Sequence, residues 1–181
     1  KLATINASTL TGKLDVGNTL KAVAMTITGG SGADVLKASV GSDAKADVIN
    51  GGLGNDTLYA GSNGAKLSGG DGNDLFIVTA NSATVGNKES NTYSEILDFK
   101  AGDLLQLQAS NTAGNAAIDV TAFTKLAASL NETTAVFSDF VNAAIKEAGA
   151  GAAVYFNFKG DAYIAIDSAT STDAFVNGED M

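Results

Sequence analysis

A nine-residue period constrains the fold of this chain more than any other feature of its sequence. Four copies of a nonapeptide follow one another without a gap, and a fifth copy ends four residues upstream of them. In chain order they read GGSGADVLK (29–37), SDAKADVIN (42–50), GGLGNDTLY (51–59), AGSNGAKLS (60–68) and GGDGNDLFI (69–77). Their eighth positions are all apolar: Leu36, Ile49, Leu58, Leu67 and Phe76. Internal repeats of this kind indicate a solenoid built of stacked copies.

Each copy divides into a turn and a short strand. The first six residues favour a turn, because glycine permits the positive φ angles that a tight turn needs. The last three residues suffice for a very short strand, whose middle residue, at position eight, points inward and stacks on its equivalents. Two copies close one coil, so turns that are two copies apart share an edge. The copies that start at 29, 51 and 69 therefore share one edge, with residues 38–41 accounting for the longer first interval.

Stacked carboxylates on that edge predict a cation between the turns. Asp34, Asp56 and Asp74 all occupy the sixth position of their copies, and close like charges repel unless a cation lies between them. Calcium suits such a site because it accepts carboxylate and main-chain carbonyl oxygens in flexible geometry. We predict two calcium sites, one between the first two aspartates and one between the last two. The candidate ligands in these turns are Gly29, Ser31, Gly32, Asp34, Gly51, Gly52, Leu53, Gly54, Asp56, Gly69, Gly70, Asp71, Gly72 and Asp74.

The other edge is formed by degenerate copies. Most of their glycines are missing, Lys45 stands where a glycine is usual, and Ala65 replaces the aspartate. We predict no calcium, or one weak site, between the turns at 42–47 and 60–65. Asp47 would be neutralised by Lys45 or Lys66 instead.

The composition of the chain limits the kinds of partner that it can be expected to bind. It has 181 residues with 20 acidic against 11 basic side chains, which gives a net charge of -9 and argues against nucleic acid as a partner. Cysteine and histidine are absent, so a bound metal is expected to be oxygen-ligated. No apolar run is long enough to span a membrane, and neither a signal peptide nor a catalytic H-E-x-x-H or G-x-S-x-G motif is visible. We expect no enzymatic activity, and a chain that starts at Lys1 is expected to be a fragment or a processed piece.

The repeats resemble the RTX nonapeptide, most closely in GGSGADVLK, GGLGNDTLY and GGDGNDLFI. The resemblance implies a parallel β-roll, or RTX β-solenoid, with Ca²⁺ in its turns, and type I secretion from a Gram-negative bacterium. Residues 1–28 read as strands that continue the solenoid or, alternatively, as a separate small β element. The segment SEILDFKAGDLLQLQ resembles the one that closes many RTX rolls, in which Asp98 and Asp103 would bind a terminal calcium and the apolar residues would cap the core.

The sequence pattern of the chain changes after residue 108. TAFTKLAASL suggests a short helix, and AVFSDFVNAAIKEAG predicts a helix with an apolar stripe that ends at Gly149. AAVYFNF and AYIAID, joined by KGD, read as a β-hairpin. We therefore predict a mainly β chain with a solenoid at 1–108 and an α+β cap at 109–181 that stops short of its natural end.

As a whole, the tail resembles the C-terminal part of RTX-type surface-layer (S-layer) proteins of the Caulobacter and Campylobacter type. The resemblance implies a secreted module at the cell surface that folds with calcium and assembles with copies of itself, with cell-surface polysaccharide bound through another part of the protein. Two alternatives share the same roll: the secretion and folding module of an exported metalloprotease or lipase, and a fragment of an RTX adhesin or toxin. Any catalytic residues would then lie upstream of Lys1.

Overall fold

The computed structural model describes residues 3–17, 24–39, 46–61, 64–79, 94–109, 116–117, 123–148 and 152–166. The chain divides into two compact units. Among the described residues, the first unit takes those up to 117 and the second those from 123 onward.

The strands of the first unit form two sheets, and from β2 to β9 successive strands alternate between them. They are β1 (Thr4–Asn6), β2 (Thr26–Thr28), β3 (Val35–Lys37), β4 (Asp47–Leu53), β5 (Thr57–Tyr59), β6 (Ala65–Asp71), β7 (Leu75–Thr79), β8 (Glu95–Ile96), β9 (Leu104–Ala109) and β10 (Ala116–Ala117). One sheet has the order β1-β2-β4-β6-β8 and the other β3-β5-β7-β9-β10. Every pairing is parallel except that of β9 with β10. Each return to a sheet thus adds a strand parallel to its predecessor, which confirms the mainly β prediction and is consistent with a β-roll.

The eighth positions of the repeats form the core of this unit, as the period predicts. Ile27, Ile49 and Leu67 are in register on the first sheet. Leu36, Leu58 and Phe76 are in register on the second. All six side chains are fully buried, and burial of one such side chain contributes about 1.5–3 kcal/mol.

Both flanks of the repeats join the same two sheets. β1 pairs with β2, and Asp15 forms a bridge to Val35, which is consistent with the prediction that the N-terminal segment continues the repeats. At the other end, β8 pairs with β6 and β9 with β7, while Ile96 and Leu105 pack against the core. Leu97 and Phe99, however, are 58% and 54% exposed. The Phe99 ring nevertheless lies beside that of the buried Phe76, with 5.9 Å between the ring centroids. The predicted closing segment thus adds a strand to each sheet and brings Ile96, Leu105 and Phe99 to the core, whereas Leu97 stays largely exposed.

The second unit combines a helix with a three-stranded sheet. Its elements are β11 (Phe123–Lys125), α1 (Phe137–Ala148), β12 (Ala153–Phe158) and β13 (Asp161–Ile166), and β12 pairs with both other strands. Helix and hairpin are thus confirmed, and Lys159 and Gly160 adopt positive φ in the hairpin turn. The short helix predicted in TAFTKLAASL is wrong, because the segment starts with a strand that supplies hydrogen bonds to the free edge of β12.

The apolar stripe of α1 faces the core of its unit only in part. Phe140, Val141 and Ala144 are buried against the sheet, while Val136 precedes the helix and is 59% exposed. The predicted helix end at Gly149 lies outside the described residues, as does the side chain of Ile145.

Replacing a core residue at an eighth position should be far more damaging than replacing its neighbour in the same strand. Ile49 is fully buried, whereas Val48 is 42% exposed. We expect Ile49→Ala to lower the free energy of unfolding by about 2–5 kcal/mol. The matched control Val48→Ala should lower it by less than about 1 kcal/mol. Urea denaturation of both variants at one fixed calcium concentration measures the difference, and equal losses would contradict the stacked core.

Candidate metal centre

Four turns stack on one edge of the first unit, which we call the glycine edge. They comprise residues 29–34, 51–56, 69–74 and 98–103. Pairing continues from the strands into the second and third turns, where Gly52 lies beside Gly70 and Leu53 beside Asp71. The pairs Leu67–Ile96 and Leu75–Leu104 bring the fourth turn into the same frame. The predicted sharing of an edge is confirmed for the first three turns, and the structure adds the fourth.

Glycine is needed on this edge where the chain passes close to a carboxylate or adopts positive φ. A Cβ built on Gly51 would overlap the Asp56 carboxylate and lie 2.6 Å from the Gly69 carbonyl oxygen. Gly52 has a φ of 107°, which side-chain-bearing residues rarely adopt. The turns therefore pack their backbones closely around their own aspartates.

The sixth residues of the four turns form a column of carboxylates, each bonded to the coil beneath it. Asp56 accepts a hydrogen bond from the Asp34 N–H (2.7 Å), Asp74 from the Asp56 N–H (2.9 Å), and Asp103 from the Asp74 N–H (2.9 Å). At the bottom, Asp34 accepts one from the Leu14 N–H (2.7 Å). All four aspartates are buried. The spacing of the sixth position predicts three members of this column, and Asp103 is the fourth.

The second carboxylate oxygens differ from turn to turn. In Asp34 this oxygen accepts a hydrogen bond from the Gly30 N–H at 2.7 Å, and in Asp103 it accepts one from the Lys100 N–H at 2.9 Å. In Asp74 it lies 3.4 Å from the Lys100 ammonium. In Asp56, which is 1% exposed, the Oδ2 atom has no hydrogen-bond partner among the described residues. A buried carboxylate oxygen without a partner is costly, so Asp56 marks the point of the column where compensation is missing.

Charge at the centre of the column is unfavourable. Burial, followed by the repulsion of the Asp34 and Asp74 carboxylates, raises the pKa of Asp56 to about 6, against the lowering effect of the Asp34 N–H. At the top of the column the balance is reversed. Burial alone would raise the pKa of Asp103. Hydrogen bonds from the Asp74 and Lys100 N–H groups, together with the Lys100 ammonium, outweigh burial and lower this pKa. For Lys100, desolvation alone would lower the pKa of the ammonium, but the nearby Asp74 and Asp103 carboxylates outweigh desolvation and raise this pKa.

The donor set of the glycine edge fits calcium. No group of three or more acidic side chains converges among the residues that the structure describes, so two carboxylates at most would serve each site and main-chain carbonyls would supply the remaining ligands. That mixture of oxygens suits calcium rather than a transition metal. The unpartnered oxygen of Asp56 lies between Asp34 and Asp74, which are the two aspartates predicted to share an ion with it. Asp34, Asp56 and Asp74 are therefore the residues that would bind calcium through their side chains.

The remaining predicted ligands are placed in other ways. Ser31, Leu53 and Asp71 are exposed, and the Asp71 carbonyl accepts a hydrogen bond from the Gly54 N–H at 2.9 Å. Asp98 accepts hydrogen bonds from the Gly69 and Gly70 N–H groups at 2.9 Å each, one to each carboxylate oxygen. Lys100 is the residue that repeat-based reasoning missed, because a basic side chain stands at that turn position in none of the other three turns.

The opposite edge shows a lone carboxylate in its described part. Asp47 is 2% exposed and accepts hydrogen bonds from the Met25 N–H at 2.7 Å and the Ser39 N–H at 2.5 Å. Lys66 forms an ion pair with Glu95 at 3.0 Å, so the prediction that Lys66 neutralises Asp47 is wrong. The two backbone N–H groups hydrogen-bond the Asp47 carboxylate without neutralising its charge. Lys45 and much of the turns predicted to lack calcium lie outside the described residues, so that part stays a prediction.

A family model matches the chain where these turns begin. The model of the RTX calcium-binding nonapeptide repeat, which spans four copies, matches residues 26–44 and 42–64. The chain therefore carries RTX repeats, which bind Ca²⁺ and are typical of secreted proteins. Comparisons with curated proteins and with solved structures returned no match. No helix among the described residues has the length and apolar character needed to cross a membrane.

The position of Asp56 between two other carboxylates predicts the largest effect of substitution on calcium-dependent folding. Asp56→Ala removes a carboxylate that both predicted ions would share, so we expect the calcium midpoint of folding to rise by roughly an order of magnitude or more. Asp34→Ala should raise it less, and Asp71→Ala, which removes an exposed side chain, least of all. Far-UV circular dichroism during calcium titration at one ionic strength measures the three midpoints. Identical midpoints would show that these carboxylates do not bind the calcium ions on which folding depends.

Close packing at Gly51 predicts a second, steric effect. Gly51→Ala would push its methyl group into the Asp56 carboxylate, and we expect a loss of about 1–3 kcal/mol of unfolding free energy. Gly12→Ala is the control, because a Cβ there meets nothing within 4 Å, and it should change stability by less than about 1 kcal/mol. Thermal denaturation in calcium compares the two variants. A Gly51→Ala variant as stable as the control would refute the tight turn.

Proposed function

We propose that this chain is the calcium-dependent folding and self-assembly module of a secreted bacterial S-layer protein, without enzymatic activity of its own. The observation that carries the folding half of the proposal is the buried, unpartnered Oδ2 atom of Asp56 in a column of aspartates. The assembly half is supported by the resemblance of the tail to RTX-type S-layer proteins.

In the proposed function, folding brings the carboxylates of the glycine edge together, so the stability of the fold depends on how their negative charge is compensated. Asp34, Asp56 and Asp74 come together only when the coils stack, since each accepts a hydrogen bond from the coil beneath it. Bound calcium would supply the positive charge that offsets these carboxylates. Because the unfolded chain keeps them apart, binding and folding form one equilibrium. A chain made at low cytosolic calcium would stay unfolded and exportable, and the higher external concentration would fold it.

Exposed apolar side chains support self-assembly. Leu97, Phe99 and Leu104 lie within eight residues of one another along the chain and are 58%, 54% and 65% exposed. A contiguous surface patch of such side chains would be typical of contacts with other protein molecules. A lattice of identical copies is the partner that the S-layer proposal requires.

The experiment adds calcium to the full chain and follows two quantities in the same samples. Far-UV circular dichroism reports folding, and light scattering with negative-stain electron microscopy reports ordered assembly. We expect calcium to induce both, while magnesium at equal concentration, which demands a stricter geometry, induces neither. A chain that folds to the same extent without calcium would overturn the folding half. Folding without assembly at any calcium concentration would overturn the S-layer half and favour the module of an exported hydrolase.

A further inference from the structure

The fourth turn of the glycine edge contains its own cation. The ammonium of Lys100 donates a hydrogen bond to the Gly70 carbonyl oxygen at 2.5 Å and lies 3.4 Å from Asp74 Oδ2 and 3.6 Å from Asp103 Oδ1. It thus contacts a main-chain carbonyl and two successive carboxylates of the column. The side chains of both aspartates are fully buried, whereas that of Lys100 is 40% exposed, so its stem reaches inward from the surface.

The position equivalent to that of the Lys100 ammonium can be located one coil lower. The register places Gly70 beside Gly52, and the column places Asp56 and Asp74 where Asp74 and Asp103 stand in the coil above. The atoms equivalent to those around the ammonium are thus the Gly52 carbonyl oxygen, Asp56 Oδ2 and Asp74 Oδ1. Asp56 Oδ2 is the buried oxygen that lacks a hydrogen-bond partner in the described chain. The ammonium therefore lies where the repeat predicts an ion, and its absence one coil lower coincides with an uncompensated carboxylate.

Among the four turns, the third position is basic only in the last. Ser31, Leu53 and Asp71 occupy it in the first three turns, and Lys100 in the fourth. Asp98 does not compete for the ammonium, because its two oxygens accept hydrogen bonds from Gly69 and Gly70.

We propose that Lys100 is a tethered cation that takes the place of a third calcium ion at the C-terminal end of the column, so that the last turn docks without metal. This differs from the expectation that Asp98 and Asp103 bind a terminal calcium. It rests on the proposed calcium binding of the lower turns. Of the three intervals between the four turns, two take calcium and the third takes the lysine.

The test counts calcium ions bound per chain by native mass spectrometry and by isothermal titration calorimetry on the full chain. Lys100→Met keeps the length of an apolar stem and removes the charge. We expect this variant to bind one more calcium ion than the wild type, and Lys100→Arg to bind the wild-type number. Lys66→Met is the matched control, because it removes a lysine of comparable exposure, 49% against 40%, that pairs with Glu95 instead of with the aspartates of the column, and its count should not change.

If a variant folds poorly, the calcium midpoint of its folding is measured by circular dichroism in addition to the ion count. If Lys100→Met folds only at higher calcium and then binds one more ion than the wild type, while the control keeps its midpoint, metal replaces the side chain and the proposal stands. An unchanged count overturns it whatever the midpoint, as does a variant that saturating calcium does not refold although Lys100→Arg folds. A calcium ion between the turns at 69–74 and 98–103 in a crystal structure of the wild type also overturns it. A wild type that binds no calcium refutes the proposed function instead.

Discussion

One main-chain N–H of each coil donates a hydrogen bond to the aspartate of the next coil, and these bonds link charge to backbone along the glycine edge. A carboxylate is a strong acceptor for an N–H group in a buried place, so these bonds set the coils in register. The same bonds also bring like charges into a line, with Asp56 between Asp34 and Asp74. In the proposed function, bound calcium compensates that line, so the folding of the apolar stack would depend on an ion.

Buried carboxylates are stabilised in three different ways within this one unit. Asp47 accepts hydrogen bonds from two backbone N–H groups, one to each carboxylate oxygen. Asp74 has one backbone N–H and the ammonium of Lys100. Asp56 has one backbone N–H and nothing at its second oxygen. Comparison of the three identifies Asp56 as the carboxylate whose ionisation the polypeptide alone does not support, and its pKa of about 6 has the same physical origin.

The repeat period made most of the first unit predictable from sequence. A strict nine-residue spacing determines which side chains face inward, so the core from Ile27 to Phe76 and the shared edge followed directly. The strand at Phe123–Lys125 could not be predicted, because its pairing partner lies thirty residues further along the chain and the local sequence pattern does not indicate it. Lys100 was missed for a related reason. A sequence period shows which residues successive copies share, whereas Lys100 is a basic residue at a turn position that is not basic in the other three turns.

The spacing of the strands has a consequence for how the chain can change in length. On the glycine edge, six residues separate Thr28 from Val35, and the paired positions Asn50 and Thr57 are separated by the same number. On the opposite edge, the connections between strands comprise nine residues after β3, five after β5 and fifteen after β7. Insertions on that side leave the aspartates in phase, while a single added residue on the glycine edge would displace a carboxylate from its backbone donor. One side of the unit is thus free to acquire loops, and with them new surface properties, while the other is restricted to point substitutions.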